Sequence, residues 1–117
     1  MLKLMYIAGP YRAKTVAEIR QNIENARQVA EDWVKKEGWY PVTPHLNTAF
    51  MDGLASDSVF LEGALRLLEM CQAVCLVDGW WNSAGTIAEI EHAKNLGKPI
   101  FMKRGGHYEI GNPRPSR

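Results

Sequence analysis

The stretch Asp78-Gly-Trp-Trp-Asn-Ser-Ala-Gly-Thr-Ile-Ala-Glu-Ile-Glu-His-Ala-Lys-Asn-Leu-Gly97 lies between two apolar runs in the second half of this 117-residue chain. The first run covers residues 73–77 and the second covers residues 98–101. An apolar strand, a turn of small residues, a helix closed by Gly97 and a second apolar strand predict a βαβ unit with a parallel sheet. Ligands of such sheets bind at the carboxyl ends of the strands, so residues 82–86 are a candidate binding turn.

Two carboxylates of the predicted helix point in nearly opposite directions. At about 100° per residue, Glu89 shares a face with Ala93 and Leu96, whereas Glu91 faces solvent. A carboxylate on the sheet-facing side of a helix is costly to desolvate unless something pairs with it or uses it. Two interpretations are open: Glu89 is a functional carboxylate, or it forms a capping box with Thr86 at the start of the helix.

The first apolar run of the chain, residues 2–8, stops at Gly9-Pro10 and predicts the first, central strand of the sheet. The loop that follows is a second candidate binding segment. Gly9 permits a close approach of the backbone to a ligand, and Arg12 can meet an anion. We expect this loop at the same edge of the sheet as the turn 82–86.

Residues 39–43 predict a short second strand near a sheet edge, since Pro41 cannot donate to a strand ladder. Residues 44–52 are predicted to form a loop at the carboxyl end of that strand, where His45 and Asn47 are candidate ligand contacts. For His45 a second interpretation is open, in which its ring stabilises the loop through a hydrogen bond to the backbone.

Capping signals mark two further helices. Thr15 and Glu18 have the spacing of a capping box, and Ser56-Asp57-Ser58 precedes apolar residues at helical spacing. After the last apolar run, residues 104–117 contain three Gly and two Pro. They are predicted to form a loop or a flexible end, apart from the domain of residues 1–103.

The composition is that of a soluble globular domain, because 46% of the residues are hydrophobic, 23% are charged and the net charge is +1. No basic stripe occurs, so nucleic acid is not an expected partner. The N-terminal apolar run is too short for a signal peptide or a membrane span, which predicts a cytoplasmic protein without a membrane partner. Cys71 and Cys75 are predicted to be small core residues, and neither a metal site nor a cofactor is expected.

Three motifs together resemble the nucleoside 2-deoxyribosyltransferase superfamily, which includes the 2'-deoxynucleoside 5'-phosphate N-hydrolases. They are Tyr6-Ile-Ala-Gly-Pro-Tyr-Arg12, the pattern from Gly85-Thr86 through Glu89 to Ala93, and Gly97-Lys-Pro99. The resemblance spans residues 3–103. It implies an α/β fold with a flavodoxin/Rossmann-like parallel sheet of about four to five strands and flanking helices.

The resemblance also implies roles for single residues. Glu89 corresponds to the nucleophile of the family, and Tyr6 to a tyrosine that forms a hydrogen bond near it. Ser83 matches a phosphate-contacting serine of the N-hydrolases, where the transferases carry an acidic residue. The implied 5'-phosphate cradle consists of Ser83, Arg12 and the backbone N–H groups of Gly85 and Thr86.

Two features leave the mechanism open at this point. The family usually carries a helix aspartate that faces the site and helps the departing base or the sugar, and Ala64 stands near that position here. Trp80 and Trp81 either stack on a nucleobase, with Trp80 as the candidate contact, or form a hydrophobic lid or a subunit contact.

The sequence thus predicts an enzyme that acts on a small-molecule nucleoside or nucleotide. Hydrolysis of the N-glycosidic bond of (deoxy)nucleoside 5'-monophosphates is the first expectation, and base exchange between nucleosides is the second. A nucleotide-binding or sensing protein without catalysis is a third candidate, and a scaffold for a protein partner is a fourth. A homodimer or a larger homo-oligomer is expected, because the core of a chain this short is small.

Overall fold

A five-stranded sheet runs through the protein in the computed structural model, which describes residues 1–114. Its strands are β1 (Lys3–Ala8), β2 (Trp39–Val42), β3 (Ala73–Leu76), β4 (Ile100–Arg104) and β5 (His107–Ile110). The helices are α1 (Val16–Val34), the single-turn α2 (Pro44–Asn47), α3 (Asp57–Glu69) and α4 (Ala84–Asn95). The spatial order is β2-β1-β3-β4-β5, with parallel pairing except between β4 and β5. The predicted flavodoxin/Rossmann-like α/β fold is therefore confirmed.

The positions of the first two strands follow from their sequences. β2 contains Pro41 and lies at the edge of the sheet, as its missing N–H predicts. β1 lies inside the sheet between β2 and β3, whereas the middle position belongs to β3. All four residues of β3 are buried, which is typical of a parallel strand covered on both faces.

The two faces of the sheet carry separate hydrophobic cores. One core packs Met5 and Ile7 of β1 against α1, whose Trp33 is buried there. The other packs Tyr6 and Ala8 of β1 beneath residues of α3 and α4. Because successive side chains of a strand point to opposite faces, the register of β1 directs Tyr6 toward α4.

The start of α4 corrects one of the two interpretations of Glu89. The N-cap is Ser83, whose Oγ accepts a hydrogen bond from the Thr86 backbone N–H at 3.1 Å. Thr86 is thus the third helical residue, and the proposed capping box between Thr86 and Glu89 is wrong. The capping box of Thr15 and Glu18 at the start of α1 is confirmed.

Two segments predicted to be loops contain regular structure. Residues 44–52 include α2, which begins at Pro44 because proline suits the first turn of a helix. The tail 104–117 includes β5, joined to β4 by Gly105 and Gly106, both with positive φ. Such a two-residue glycine turn suits an antiparallel hairpin. The last part of the predicted flexible end, residues 115–117, lies outside the described residues.

Tyr108 explains why this tail segment pairs with the sheet. Its ring lies 5.3 Å from the ring of Trp33, and its hydroxyl donates a hydrogen bond to Asp32 at 2.7 Å. Aromatic packing on α1 therefore offsets the cost of ordering a segment rich in glycine. Cys71 and Cys75 are free and buried, as predicted for small core residues.

Candidate active site

A cleft of about 750 Å³ opens at the carboxyl ends of β1 and β3. In a sheet of order 2-1-3-4-5, these two strands flank the point where the chain direction switches from one side to the other, which is where such folds bind ligands. Residues of α2 and of the N-terminal parts of α3 and α4 also line the cleft. Its lining includes seven of the predicted site residues: Gly9, Arg12, His45, Ser83, Gly85, Thr86 and Glu89.

Glu89 lies in the second turn of α4 and is 8% exposed. One of its carboxylate oxygens, Oε2, accepts a hydrogen bond from the hydroxyl of Tyr6, which is fully buried in β1. Glu91, two residues further along α4, is exposed. The helical periodicity therefore separated the buried carboxylate from the exposed one correctly.

Burial dominates the electrostatics of this pair. It raises the pKa of Glu89 to about 7, although the hydrogen bond from Tyr6 acts in the opposite direction. Burial also raises the pKa of Tyr6, and the adjacent Glu89 charge and the hydrogen bond raise it further. Tyr6 consequently stays a hydrogen-bond donor, while Glu89 titrates near neutral pH. A carboxyl group perturbed in this way inside a cleft is a typical candidate for a functional site.

The N-terminus of α4 forms one wall of the cleft. The first intrahelical bond runs from the Ile87 N–H to the Ser83 carbonyl, so the N–H groups of residues 84–86 have no intrahelical partner. Ser83 Oγ accepts from the backbone N–H and the hydroxyl of Thr86, at 3.1 and 2.9 Å. Of the two backbone groups in the predicted cradle, that of Thr86 is therefore already bound within the helix cap, whereas Gly85 is exposed.

Gly9 is required because the loop after β1 passes directly against Val77, the residue that follows β3. A Cβ added to it would lie 2.5 Å from Cβ of Val77, closer than side chains pack. The backbone of the loop after β1 therefore runs directly against the end of β3, which brings this loop and Glu89 into the same cleft.

Arg12 spans the mouth of the cleft. Its Nη2 lies 2.5 Å from Oδ1 of Asp57, the first residue of α3. The two side chains are 57% and 77% exposed. The predicted anion-binding arginine thus has a carboxylate partner within the protein, and no local sequence pattern indicated this partner.

Tyr11 forms hydrogen bonds with the loop that follows α2. Its hydroxyl donates to Asp52 at 2.8 Å and accepts from the Phe50 backbone N–H at 2.7 Å. Phe50 has a φ of 60°, an uncommon conformation for a residue with a large side chain. The Tyr11 carbonyl accepts from Asn22 of α1 at 3.0 Å. Tyr11 lies within the quoted Tyr6–Arg12 motif, so its position in the cleft had a sequence signal, whereas the contacts of Asp52 and Asn22 had none.

His45 is bound to the backbone and also lines the cleft. Its Nε2 lies 2.9 Å from the Pro10 carbonyl, which can only accept, so Nε2 carries the proton. Its Nδ1 has no hydrogen-bond partner among residues 1–114. Burial lowers the pKa of His45, and the carbonyls of Pro10 and Gly9 oppose this only in part. The loop-stabilising interpretation therefore describes the contact that His45 makes.

Three predicted site residues lie outside the lining of the cleft: Tyr6, which is fully buried behind Glu89, Asn47 and Trp80. Asn47 is exposed at the end of α2. Trp80 is 6% exposed and packs in the core with Ile90, because the 3₁₀ turn Trp80–Asn82 directs its indole inward. Its neighbour Trp81 is 43% exposed and packs edge-on against it at 5.6 Å. The structure therefore gives Trp80 a packing role.

Ala64 lines the cleft near the position where the resemblance leads us to expect an aspartate. Three aspartates line the cleft elsewhere: Asp52, Asp57 and Asp78. Asp78 also lines a second cleft of about 590 Å³ between α1 and the ends of β3 and β4. Residues 1–114 contain no group of three or more His, Cys, Asp or Glu side chains placed to hold a metal ion. Within the same residues, no helix is both long and apolar enough to cross a membrane.

Solved structures of two enzymes share this fold. A 2-deoxyribosyltransferase from Bacillus psychrosaccharolyticus is 20% identical, with a TM-score of 0.59 over 85% of this chain and 70% of that chain. The 2-deoxyribosyltransferase from Leishmania mexicana is 19% identical, with a TM-score of 0.55 over 94% of this chain and 79% of that chain. At these identities the likeness shows the fold.

Sequence comparison assigns the family. A search of curated proteins gave no significant match. A family profile described as a domain of unknown function, DUF7768, matches residues 3–103. Since this match covers most of the chain, the protein belongs to the DUF7768 family.

Proposed function

We propose that this protein cleaves the N-glycosidic bond of (deoxy)nucleoside 5'-monophosphates, with Glu89 as the nucleophile. The observation that carries the proposal is the nearly buried Glu89, which lines a cleft at the carboxyl edge of the sheet and accepts a hydrogen bond from the buried Tyr6. The likeness of the fold to 2-deoxyribosyltransferases supports a glycosyl-transfer or N-glycosidase reaction. The products are a nucleobase and a sugar phosphate.

The reaction takes two displacement steps, as in retaining glycosidases. A Glu89 oxygen attacks the anomeric carbon, and the electrons of the bond between carbon and base leave with the base, which takes a proton from solvent. A glycosyl ester of Glu89 remains. Water then attacks the same carbon and loses a proton to solvent, which frees the sugar phosphate and restores the carboxylate.

Tyr6 is a positioning residue in this scheme. Its hydroxyl holds Oε2 of Glu89 and leaves the other carboxylate oxygen for attack. Because its pKa is raised, Tyr6 keeps its proton and favours the ionised form of Glu89 without acting as an acid.

The preference for a 5'-phosphate rests on the N-terminal end of α4. Ser83 is a neutral cap, Gly85 is exposed beside it, and the helix dipole favours an anion there. Arg12 lines the same cleft and supplies a positive charge. An acidic residue at position 83 would repel a phosphate, so its absence supports a phosphorylated substrate.

Base exchange on unphosphorylated nucleosides is the second candidate function. One observation favours it: among residues 1–114, the lining of the cleft holds four carboxyl groups but only one arginine. An acidic cleft repels a phosphate electrostatically, whereas a neutral nucleoside meets no such repulsion. In that reaction a second nucleobase, not water, attacks the glycosyl ester.

Chromatographic detection of free base tests the proposal. Deoxyribonucleoside and ribonucleoside 5'-monophosphates and the matching nucleosides are incubated with the protein, with Glu89→Gln, and with Glu91→Gln as the matched exposed control. We expect faster release from the 5'-monophosphates than from the matching nucleosides, a loss of at least about 10³-fold in Glu89→Gln, and no change in Glu91→Gln. If no substrate releases free base, the proposed enzymatic activity is refuted. Nucleotide binding without release of base would identify a binding or sensing protein.

A cytoplasmic homo-oligomer stays a prediction from the sequence. Light scattering coupled to size-exclusion chromatography would measure the assembly directly. A monomer at micromolar concentration would remove the predicted contribution of a second subunit to stability.

A further inference from the structure

The cation available to an anionic ligand in the cleft is already engaged. Within the described lining, Arg12 is the only lysine or arginine. Its guanidinium contacts the Asp57 carboxylate at 2.5 Å across the mouth of the cleft. An anionic 5'-group therefore reaches an arginine whose charge is locally neutralised.

The position of Asp57 makes this contact replaceable. Both side chains are more than half exposed, and ion pairs between exposed groups contribute little to stability. Asp57 is also the first residue of α3, where a carboxylate is favoured by the N-terminal end of the helix even when it has no arginine partner. A phosphate, which accepts two hydrogen bonds from one guanidinium, can therefore displace it.

We propose that Asp57 is a specificity-determining residue, whose carboxylate competes with the 5'-phosphate of a nucleotide for Arg12. A nucleotide must displace Asp57 from the guanidinium, whereas a nucleoside with a free 5'-hydroxyl leaves the ion pair intact. Asp57 thus sets the ratio of affinities for phosphorylated and unphosphorylated nucleosides. This inference rests on the proposed function, because it assumes that the 5'-end of the substrate points toward Arg12.

Kinetics of Asp57→Asn provide the first test. We expect kcat/KM for a nucleoside 5'-monophosphate to rise by roughly threefold to fivefold, mainly through KM, and that for the nucleoside to change less than about twofold. Glu62→Gln removes a charge from an exposed position of the same helix outside the cleft, and it should leave both values unchanged. An equal change for the two substrates, or a fall for the monophosphate, would overturn the proposal.

A double-mutant cycle separates competition for Arg12 from a general charge effect. In an Arg12→Gln background, Asp57→Asn should give no gain for the monophosphate, since the group for which the two anions compete is gone. The same gain in both backgrounds would show that Asp57 acts only through the overall charge of the cleft and would refute the competition.

Binding measurements keep this inference distinct from the proposed function. Calorimetry with a nucleoside monophosphate and with inorganic phosphate reports on Arg12 even when no base is released. Tighter binding to Asp57→Asn than to the wild type, without turnover, would support the competition while the N-glycosidase proposal fails. If both Asp57→Asn and Asp57→Ser bind phosphate no more tightly than the wild type, the competition is refuted. This conclusion does not depend on whether the protein releases a base.

Discussion

The hydroxyl of Tyr6 donates a hydrogen bond to Glu89, although the two residues are 83 positions apart in the chain. Tyr6 comes from the first strand and Glu89 from the last long helix, and the sheet register brings them together in the core above β1. The pair combines a donor that keeps its proton with a carboxyl group that titrates near neutral pH. The protonation of Glu89 therefore links the proposed activity to the stability of this protein.

Base release should increase with pH through about 7. In the proposed reaction only the ionised form of Glu89 is a nucleophile, and its pKa of about 7 leaves roughly half of the free protein in that form at neutral pH. The pH dependence of kcat/KM, which reports on the free enzyme, measures this ionisation. An acid limb centred near 4, the range of an ordinary glutamate, would show that the group that limits the reaction does not have the raised pKa of Glu89.

Tyr6→Phe should move that acid limb to higher pH. The hydrogen bond from Tyr6 lowers the pKa of Glu89, so its loss raises the pKa and reduces activity at pH 7 by roughly tenfold. Activity should recover in part at pH 9. The same substitution at the exposed Tyr40 is the control and should leave the profile unchanged. A loss of activity that is independent of pH would mean that Tyr6 acts in another way.

Glu89→Gln should stabilise the protein at alkaline pH. A carboxyl group whose pKa is higher in the folded chain binds its proton more tightly when folded, so stability is greatest below the unfolded pKa of about 4.3. It falls as pH rises toward about 7, and the loss is complete above that value. We expect Glu89→Gln to gain up to about 3 kcal/mol in the free energy of unfolding at pH 8 and almost nothing at pH 4.

Urea unfolding of the wild type, Glu89→Gln and the exposed control Glu91→Gln at both pH values measures this difference. An equal effect of Glu89→Gln at pH 4 and pH 8 would show that the pKa of Glu89 is not raised on folding. Glu91→Gln should give the same difference from the wild type at both pH values, since its side chain is exposed.

Gly9→Ala should destabilise the fold by roughly 1–3 kcal/mol, since its new Cβ would collide with Val77. Gly63→Ala provides a matched comparison in the interior of α3, where an added Cβ meets no atom within 4 Å. Alanine is a better helix former, so this variant should gain up to about 1 kcal/mol. Thermal unfolding of the two variants should therefore shift in opposite directions, and a stable Gly9→Ala would disprove the close contact.

Ser83→Asp should shift the substrate preference from nucleoside monophosphates to nucleosides while keeping the helix cap. Aspartate caps helices as well as serine does, so α4 stays folded. Its charge would repel a 5'-phosphate and lower kcat/KM for monophosphates by about tenfold or more, with activity on nucleosides retained. Ser83→Ala, which loses the cap without adding charge, separates the two effects. Equal losses on both substrates would argue against a phosphate at this helix end.

Periodicity and turn signals were sufficient for much of the fold. The 3.6-residue period separated buried Glu89 from exposed Glu91, and Pro41 predicted the edge position of β2. Gly105-Gly106 is typical of a hairpin turn, but the Gly and Pro content of residues 104–117 favoured the prediction of a flexible end. Packing of Tyr108 on Trp33, which no local pattern reveals, ordered that segment.

The amino-acid sequence by itself determined the order of the four parallel strands and the three long helices, and the buried face of α4, because these depend on the local spacing of apolar residues. Only the tertiary structure decided which side chains meet in the cleft. The bond between Tyr6 and Glu89 and the ion pair between Arg12 and Asp57 join segments 83 and 45 positions apart. Such contacts depend on sheet register and on how loops cross at the carboxyl edge, and no local periodicity encodes either.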